Sequence, residues 1–377
     1  MEPVHYPLKI ALIYGYTPSG HSSAAKAIAD FFPQSILEPV FINLSEVYKG
    51  LGPLVAKTYL QILQKTPALW GYVYDNEIIA RATKTIKTAL IPYYAHDLNN
   101  LLVKKNVKAI VTTHALPSIL LSKREKELKN IPLFGVITDF YAHSYWPPAG
   151  VNAYFVPGKT AQENLVQNGF PESRVCVSGI PIRKEFLETF DAYAQRKELG
   201  LSGKLFTVLI SGGSRGLGNI EKIVGTMKHF LNRIQIIILC GENKTLQKKL
   251  EKTHHDKKHI KIFGLVESTV KYFAASDIII GKPGGVTSAE SMALEKPLII
   301  FSPLPGQEER NAGFLARHRL AEFAKDAKQL ESAVRRYLHN PHLVAGVKKH
   351  LKNFSKPYAS KDIVSKIMEH ILKPIRY

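Results

Sequence analysis

Short apolar runs rich in isoleucine and valine recur along this chain between longer amphipathic stretches, and no other feature restricts its fold as much. A run too short for a helix, yet apolar on both faces, suits a strand of a parallel sheet that helices cover on both sides. In the first half such runs are Lys9–Tyr14, Pro39–Asn43, Ala109–Thr112, Leu133–Ile137, Ala153–Val156 and Val175–Val177. In the second half they are Leu205–Ile210, Ile234–Leu239, Ile260–Phe263, Asp277–Ile280 and Pro297–Phe301. The series restarts near residue 205, and 377 residues exceed one ordinary core. The pattern therefore predicts an α/β protein built from two doubly wound, Rossmann-like domains with parallel sheets.

The expected boundaries are residues 1–183 for the first domain, 184–204 for a connector and 205–356 for the second domain. Residues 357–377 form a closing amphipathic helix, because Ile363, Ile367 and Ile371 fall on one helical face after Pro357. Ligands of open α/β sheets bind beyond the carboxyl ends of the strands, so the loops that leave each apolar run are where chemistry is expected.

Charge narrows the partners. There are 51 Lys and Arg against 31 Asp and Glu, a net +20, in a chain whose 45% hydrophobic content is that of a globular protein. Such an excess draws a protein toward an anionic surface, either nucleic acid or the negatively charged leaflet of a membrane; a generally basic solvated exterior is the alternative. No nucleic-acid-binding module is legible, so an anionic membrane surface is the expected partner and nucleic acid is not. No run reaches the ~18–20 apolar residues that span a bilayer, and the first residues lack a basic region ahead of an apolar one. A cytoplasmic protein, peripheral on the inner face of the plasma membrane, is the resulting expectation. Cys176 and Cys240 sit in apolar runs with neither a disulfide framework nor metal-ligand spacing.

In the second domain, Gly281-Lys-Pro-Gly-Gly-Val-Thr-Ser-Ala-Glu290 reads as strand, tight turn and helix start. Glycines allow close backbone approach, and the N–H groups of a helix start suit a diphosphate. Lys282 adds a cation there. A second loop, Pro303–Glu309, follows the next apolar run and offers amide and carboxylate groups to sugar hydroxyls. Ser211-Gly-Gly-Ser-Arg215 is another strand-to-helix glycine turn; it fits either phosphate approach, with Arg215 as the cation, or a simple flexible connection.

In the first domain, the first apolar run ends in Tyr14-Gly-Tyr-Thr-Pro-Ser-Gly-His21, and a helical pattern follows with Ala24, Ala27, Ile28 and Phe31 on one face. His21 thus stands at the top of the first turn. An imidazole there either takes a proton from an attacking hydroxyl or merely caps the helix. Asp139, in Thr138-Asp-Phe-Tyr-Ala-His-Ser-Tyr-Trp146, lies beyond another run; it either orients His21 or caps its own turn.

These motifs together resemble the GT-B glycosyltransferases of the MurG and monogalactosyldiacylglycerol synthase type (glycosyltransferase family 28), the processive diacylglycerol glycosyltransferases in particular. That family's G-G-x-T-x-x-E and P-G-Q-E-x-x-N patterns stand here as Gly284–Glu290 and Pro305–Asn311. The resemblance implies a GT-B fold, with the two domains facing across a cleft and the closing helix packed back on the first. It implies His21 as catalytic base, supported by Asp139. Donor contacts would come from Ser211, Gly212, Gly213, Arg215, the stretch Phe263, Gly264, Leu265 and Val266 at the uracil, Lys282, Gly284, Gly285, Val286, Thr287, Glu290 at the ribose, and Gln307, Glu308 and Asn311 at the sugar. Acceptor contacts would come from Gly20, His143, Trp146 and Trp70. The first loop departs from the family, with Tyr16-Thr-Pro18 in place of consecutive glycines.

Residues Tyr48–Leu102 mix aromatic, aliphatic and basic side chains, as an interfacial membrane segment requires, although buried amphipathic helices carry similar residues. The implied reaction is inverting transfer of a hexose, glucose or galactose, from a UDP-sugar co-substrate to diacylglycerol or a glycosyldiacylglycerol. No Asp-x-Asp motif stands out, so no metal or other cofactor is expected. A MurG-like N-acetylglucosamine transferase acting on a polyprenyl-linked precursor, and a UDP-N-acetylglucosamine 2-epimerase, are the alternatives.

Overall fold

In the computed structural model, which describes residues 6–47, 95–255, 257–304 and 306–372, the apolar runs become two six-stranded sheets in which every paired strand is parallel. The first unit comprises Met1–Lys184, Pro305–Gln307 and Tyr358–Tyr377. Its strands are β1 (Leu8–Tyr14), β2 (Leu37–Asn43), β3 (Ala109–Thr112), β4 (Leu133–Val136), β5 (Ala153–Val156) and β6 (Val175–Val177), in the order β2-β1-β3-β4-β5-β6. The second unit comprises Glu185–Leu304 and Glu308–Pro357. Its strands are β7 (Phe206–Ser211), β8 (Ile234–Leu239), β9 (Ile260–Phe263), β10 (Ile278–Gly281), β11 (Leu298–Phe301) and β12 (Ala321–Ala324), in the order β12-β11-β10-β7-β8-β9.

Both orders reverse at the founding strand. β2 lies on one side of β1 and β3 on the other; β8 lies on one side of β7 and β10 on the other. Loops that leave such a pair of neighbours diverge to opposite faces and open a crevice at the carboxyl ends. Register sets what meets there: Ile13 pairs with Thr112, and Gly281 with Ser211.

Burial explains why these residues choose strands. Every residue of Ile234–Leu239 is buried, a demand that only a central strand covered on both faces meets. The helix Gly20–Ala29 starts at Ser19, whose hydroxyl accepts the Ser22 N–H at 3.1 Å while the Ser22 hydroxyl accepts the Ser19 N–H at 3.0 Å. Ala24, Ala25 and Ala27 on its inner face are buried, and their small size brings the helix close to the sheet.

Residues 184–204, expected as a connector, are built into the second unit from Glu185 onward. The cause is Arg196, only 8% exposed, in the helix Ala192–Glu198. Its guanidinium donates to Ala275 O at 2.8 Å, Gly203 O at 3.0 Å and the Asp277 carboxylate at 2.8 Å, and the same carboxylate oxygen accepts the Thr207 N–H at 2.7 Å. A buried guanidinium is tolerated when its donors are matched in this way. The strand Ala321–Ala324 was not legible as an apolar run; it exists because it pairs with β11, Leu298 opposite Ala321.

The closing helix is Ala359–Ile371, and its Ile363, Val364 and Ile367 join Leu8, Ile10, Leu12 and Phe134 in one buried cluster of the first unit. Replacing Ile367, which is fully buried, by Ala should destabilise that unit by about 2–5 kcal/mol. Urea unfolding followed by circular dichroism checks this, and an unchanged midpoint would show that the helix is an appendage rather than core.

Candidate active site

At the reversal in the first sheet, His21 is half-buried in the first turn of the helix Gly20–Ala29, and its Nδ1 lies 2.6 Å from the Thr113 carbonyl oxygen, just past β3. A carbonyl oxygen only accepts, so Nδ1 carries the proton and donates it there. The neutral ring then keeps its lone pair on Nε2. The bond is returned, because the Thr113 hydroxyl donates to the His21 carbonyl at 2.9 Å. The Thr138 hydroxyl, just past β4, stands 3.3 Å from the same Nδ1. Burial pushes the imidazole below its ordinary pKa, and the Thr113 carbonyl offsets part of that shift. His21 is therefore predominantly neutral at pH 7 and free to accept a proton on Nε2.

Asp139 follows Thr138 in the same loop and is half-buried. Thr113, at Nδ1 of His21, holds the orienting place that the sequence suggested for Asp139. His143 accepts the Tyr145 N–H at 3.3 Å and stacks on Trp146, with centroids 5.7 Å apart. Trp146 itself is 3% exposed and packs edge-on to Tyr154, so its indole is core and supports His143 rather than presenting a surface to a ligand. Gly20, beside His21, is exposed. Trp70, together with 48–94, lies outside the described residues.

At the reversal in the second sheet, the turn after β7 runs from Ser211 through Gly212, Gly213 and Arg215 to Asn219, and enters the helix Ile220–Met227. Gly216 and Gly218 are required by closeness: both have positive φ, and a Cβ would run into the Cys240 carbonyl at the first and lie 2.9 Å from Lys282 Cγ at the second. The turn after β10 carries Lys282 and Gly284, and Gly285, Val286 and Thr287 open the helix Gly285–Ala293. Gly284 is its N-cap without a side-chain cap, so the first N–H groups have no intrahelical carbonyl to bond. Glu290 in this helix is 6% exposed, not the solvated residue its helical setting alone would suggest. A carboxylate that deep requires compensating partners.

The Lys282 ammonium donates to Glu308 at 2.6 Å, and the other Glu308 oxygen accepts the Leu304 N–H at 2.8 Å. The cation expected at the diphosphate and the carboxylate expected at the sugar are thus one ion pair. Asn311 is 1% exposed and donates to the Pro283 carbonyl at 3.1 Å, which ties the helix Gln307–Arg317 to the glycine turn. Gln307 opens that helix. Asn219 reaches Ser302 at 3.1 Å and joins the turns after β7 and β11. Beyond β9 lie Gly264, Leu265 and Val266, with Leu265 53% exposed; the Phe263 carbonyl accepts the Cys240 N–H at 2.8 Å.

Sequence reasoning passed over Thr113, Thr138 and His114. The one legible signal was Thr112-Thr-His114, polar residues and a histidine at the exit of an apolar run.

Comparison with known proteins assigns both halves. Residues 21–182 match the monogalactosyldiacylglycerol (MGDG) synthase family, and residues 207–363 match the glycosyltransferase family 28 C-terminal domain. The chain belongs to these glycosyltransferases. It is 28% identical over 370 residues to a processive diacylglycerol beta-glucosyltransferase of Bacillus pumilus, covering 96% of this chain and 94% of that one. Among solved structures, MurG of Acinetobacter baumannii is 17% identical, with 96% of this chain and 100% of that one covered and a TM-score of 0.59. A putative UDP-N-acetylglucosamine 2-epimerase of Listeria monocytogenes is 13% identical, with 99% of each chain covered and a TM-score of 0.62. The two units of this glycosyltransferase thus have the GT-B fold.

The Nδ1–H tautomer is directly measurable. In a 15N–1H spectrum at pH 7 the His21 side chain should show the Nδ1-protonated neutral form, and it should titrate below 6.5. An Nε2-protonated ring would contradict the geometry at Thr113.

Proposed function

We propose that this glycosyltransferase moves a hexose, glucose or galactose, from a UDP-sugar to the hydroxyl of diacylglycerol or of a glycosyldiacylglycerol, at the inner face of the plasma membrane. The observation that carries the reading is His21, its Nδ1 proton spent on Thr113 and its Nε2 left as the base, in a chain whose two halves both match glycosyltransferase families. The name of the Bacillus pumilus relative supports glucose and diacylglycerol as the first pair to test.

The chemistry is one displacement. As the acceptor oxygen attacks the anomeric carbon, its proton passes to His21 Nε2, the bond to the diphosphate oxygen breaks, and its electron pair leaves with UDP. Attack opposite the leaving group inverts the anomeric centre. The leaving diphosphate gathers negative charge, which the first N–H groups of the helix Gly285–Ala293 and the Lys282 ammonium are suited to stabilise. Glu308, its orientation fixed by Lys282 and the Leu304 N–H, supplies a carboxylate for sugar hydroxyls. Glu290 serves the ribose, with the glycine turns at Ser211 and Gly284 at the phosphates. No metal is assigned a step. The net charge of +20 supports residence on an anionic membrane, where the lipid hydroxyl is presented. Among the described residues, no helix is long and apolar enough to cross a membrane.

The test is incorporation of label from UDP-[14C]glucose or UDP-[14C]galactose into lipid, using vesicles that contain diacylglycerol. Label should appear in the organic phase, and His21→Ala should slow its appearance by about 10²–10⁴-fold while UDP affinity is retained. Absence of a lipid product with both donors would sink the reading, and loss of the reaction in a chelator would sink its metal independence. Because the active form of His21 is neutral and burial lowers its pKa, the rate should hold as pH falls to 6.5 and decline only below it. Floatation should be stronger with anionic than with neutral vesicles; equal binding to both would remove the charge argument.

A further inference from the structure

His114 is a second imidazole at the reversal of the first sheet, and the reaction described above gives it no task. It lies immediately after Thr113, at the N-cap of the helix Ala115–Leu121, and its Nδ1 accepts the Leu116 N–H at 3.1 Å. Accepting that bond requires a bare Nδ1, so in the neutral ring the proton sits on Nε2. Its ring meets the ring of His21 edge to face, with centroids 4.8 Å apart and planes at 83°. On another side, Gly15 is its neighbour: a Cβ there would lie in ordinary van der Waals contact with His114 Cδ2, at 3.5 Å. The ring is thus held at the helix start, and it presents a wall to His21.

We propose that His114 is a positioning residue, which fixes the ring of His21 in the orientation that leaves Nε2 available as the base and keeps solvent from that ring. The inference rests on the assignment of His21 as base. The Thr113 carbonyl and the Thr138 hydroxyl both meet the ring at Nδ1 and leave its Nε2 side unfixed, and a ring packed edge to face restrains that side. Because orientation decides the rate of an attack that needs alignment, even small misplacement is costly. The wall must also stay uncharged, since a cation 4.8 Å away would oppose proton uptake by His21. Burial, with repulsion from His21 and His143, holds the His114 pKa well below 6.5 and meets that condition. Among the described residues, the other ionisable groups of these loops include Asp139, Tyr141, His143 and Tyr145 after β4, Tyr16 after β1, and Tyr14 with Glu46 at the ends of β1 and β2.

Two substitutions separate a wall from a mere cap. His114→Asn keeps an oxygen that can accept the Leu116 N–H but removes the ring. His114→Phe keeps the ring but loses the acceptor. If His114 positions His21, the His21 titration followed by 15N–1H NMR should move up toward 6.5 in His114→Asn, as solvent reaches the ring, and stay at the wild-type midpoint in His114→Phe. In the lipid-transfer assay, His114→Asn should lower kcat by about tenfold or more with KM for the donor unchanged, a larger loss than in His114→Phe. A capping role alone reverses the pattern: His114→Asn behaves as wild type and His114→Phe melts earlier, and that result would overturn the proposal. Each variant decides by itself, because a raised midpoint in His114→Phe is equally fatal should His114→Asn not fold. If the wild-type protein transfers no sugar to lipid, the proposed reaction fails, and the His21 titrations still decide whether His114 is the wall.

Discussion

Each sheet of this protein reverses its strand order once, beside β1 and beside β7, and the placement of the loops after β1 and β3, and after β7 and β10, follows from that constraint. Parallel strands joined by right-handed crossovers extend a sheet in one direction until the chain returns to the other side of the founding strand. Where it returns, two neighbouring loops cannot share a face, and the backbone groups at the strand ends are left facing a crevice. In the first unit this brings the loop after β1 to the exit of β3, which is how His21 reaches a carbonyl 92 residues away. In the second it brings the Ser211 turn beside Lys282, so closely that residue 218 has no space for a side chain.

The two crevices are furnished differently. In the first unit the important groups titrate: burial lowers the pKa of both His21 and His114, and charge on His21 and His143 lowers that of His114 further. A proton acceptor needs that setting, because a neighbouring cation would remove its basicity. In the second unit the visible groups are fixed charges and dipoles: the uncapped start of the helix Gly285–Ala293, the Lys282–Glu308 pair and the buried Glu290. Neither partner of the ion pair is free to wander, since Glu308 is also held by the Leu304 N–H and Asn311 clasps Pro283. Electrostatic preorganisation of this kind costs little reorganisation when charge develops on a leaving group.

How far the sequence could be read depended on whether a signal was carried by side chains or by backbone. Ile234–Leu239 is apolar at nearly every position, so a buried strand was legible; Ala321–Ala324 contains Glu322 and helix-compatible alanines, so only its pairing with β11 defines it. His21 was legible as a histidine at a strand-to-helix turn. Its partner was not, because Thr113 acts through a carbonyl that every residue possesses. Likewise Lys282 and Glu308 were each picked out by motif, but nothing in a spacing of 26 residues states that they touch. The burial of Glu290 escaped for a third reason: helix composition does not reveal which face meets the core. The connector was misplaced because Arg196, a residue that usually marks a surface, is the anchor that draws its segment into the second unit.

The Nδ1–carbonyl bond also bears on how a neutral group can set the tautomer of a histidine. A carboxylate on Nδ1 would raise the basicity of His21 and favour its cation; a neutral carbonyl fixes the same tautomer with a far weaker pull on charge. Burial acts in the opposite sense to both, and it prevails here, since the net displacement of the His21 pKa is downward. A base of that kind is weak at rest and stays unprotonated in mildly acidic surroundings, as at an anionic membrane surface that concentrates protons. In the proposed reaction, proton transfer to it becomes favourable only as the attacking hydroxyl becomes acidic through bond formation to the anomeric carbon. Proton transfer then accompanies attack instead of preceding it, which makes the alignment of the ring, rather than its intrinsic strength, the property the surrounding side chains have to secure.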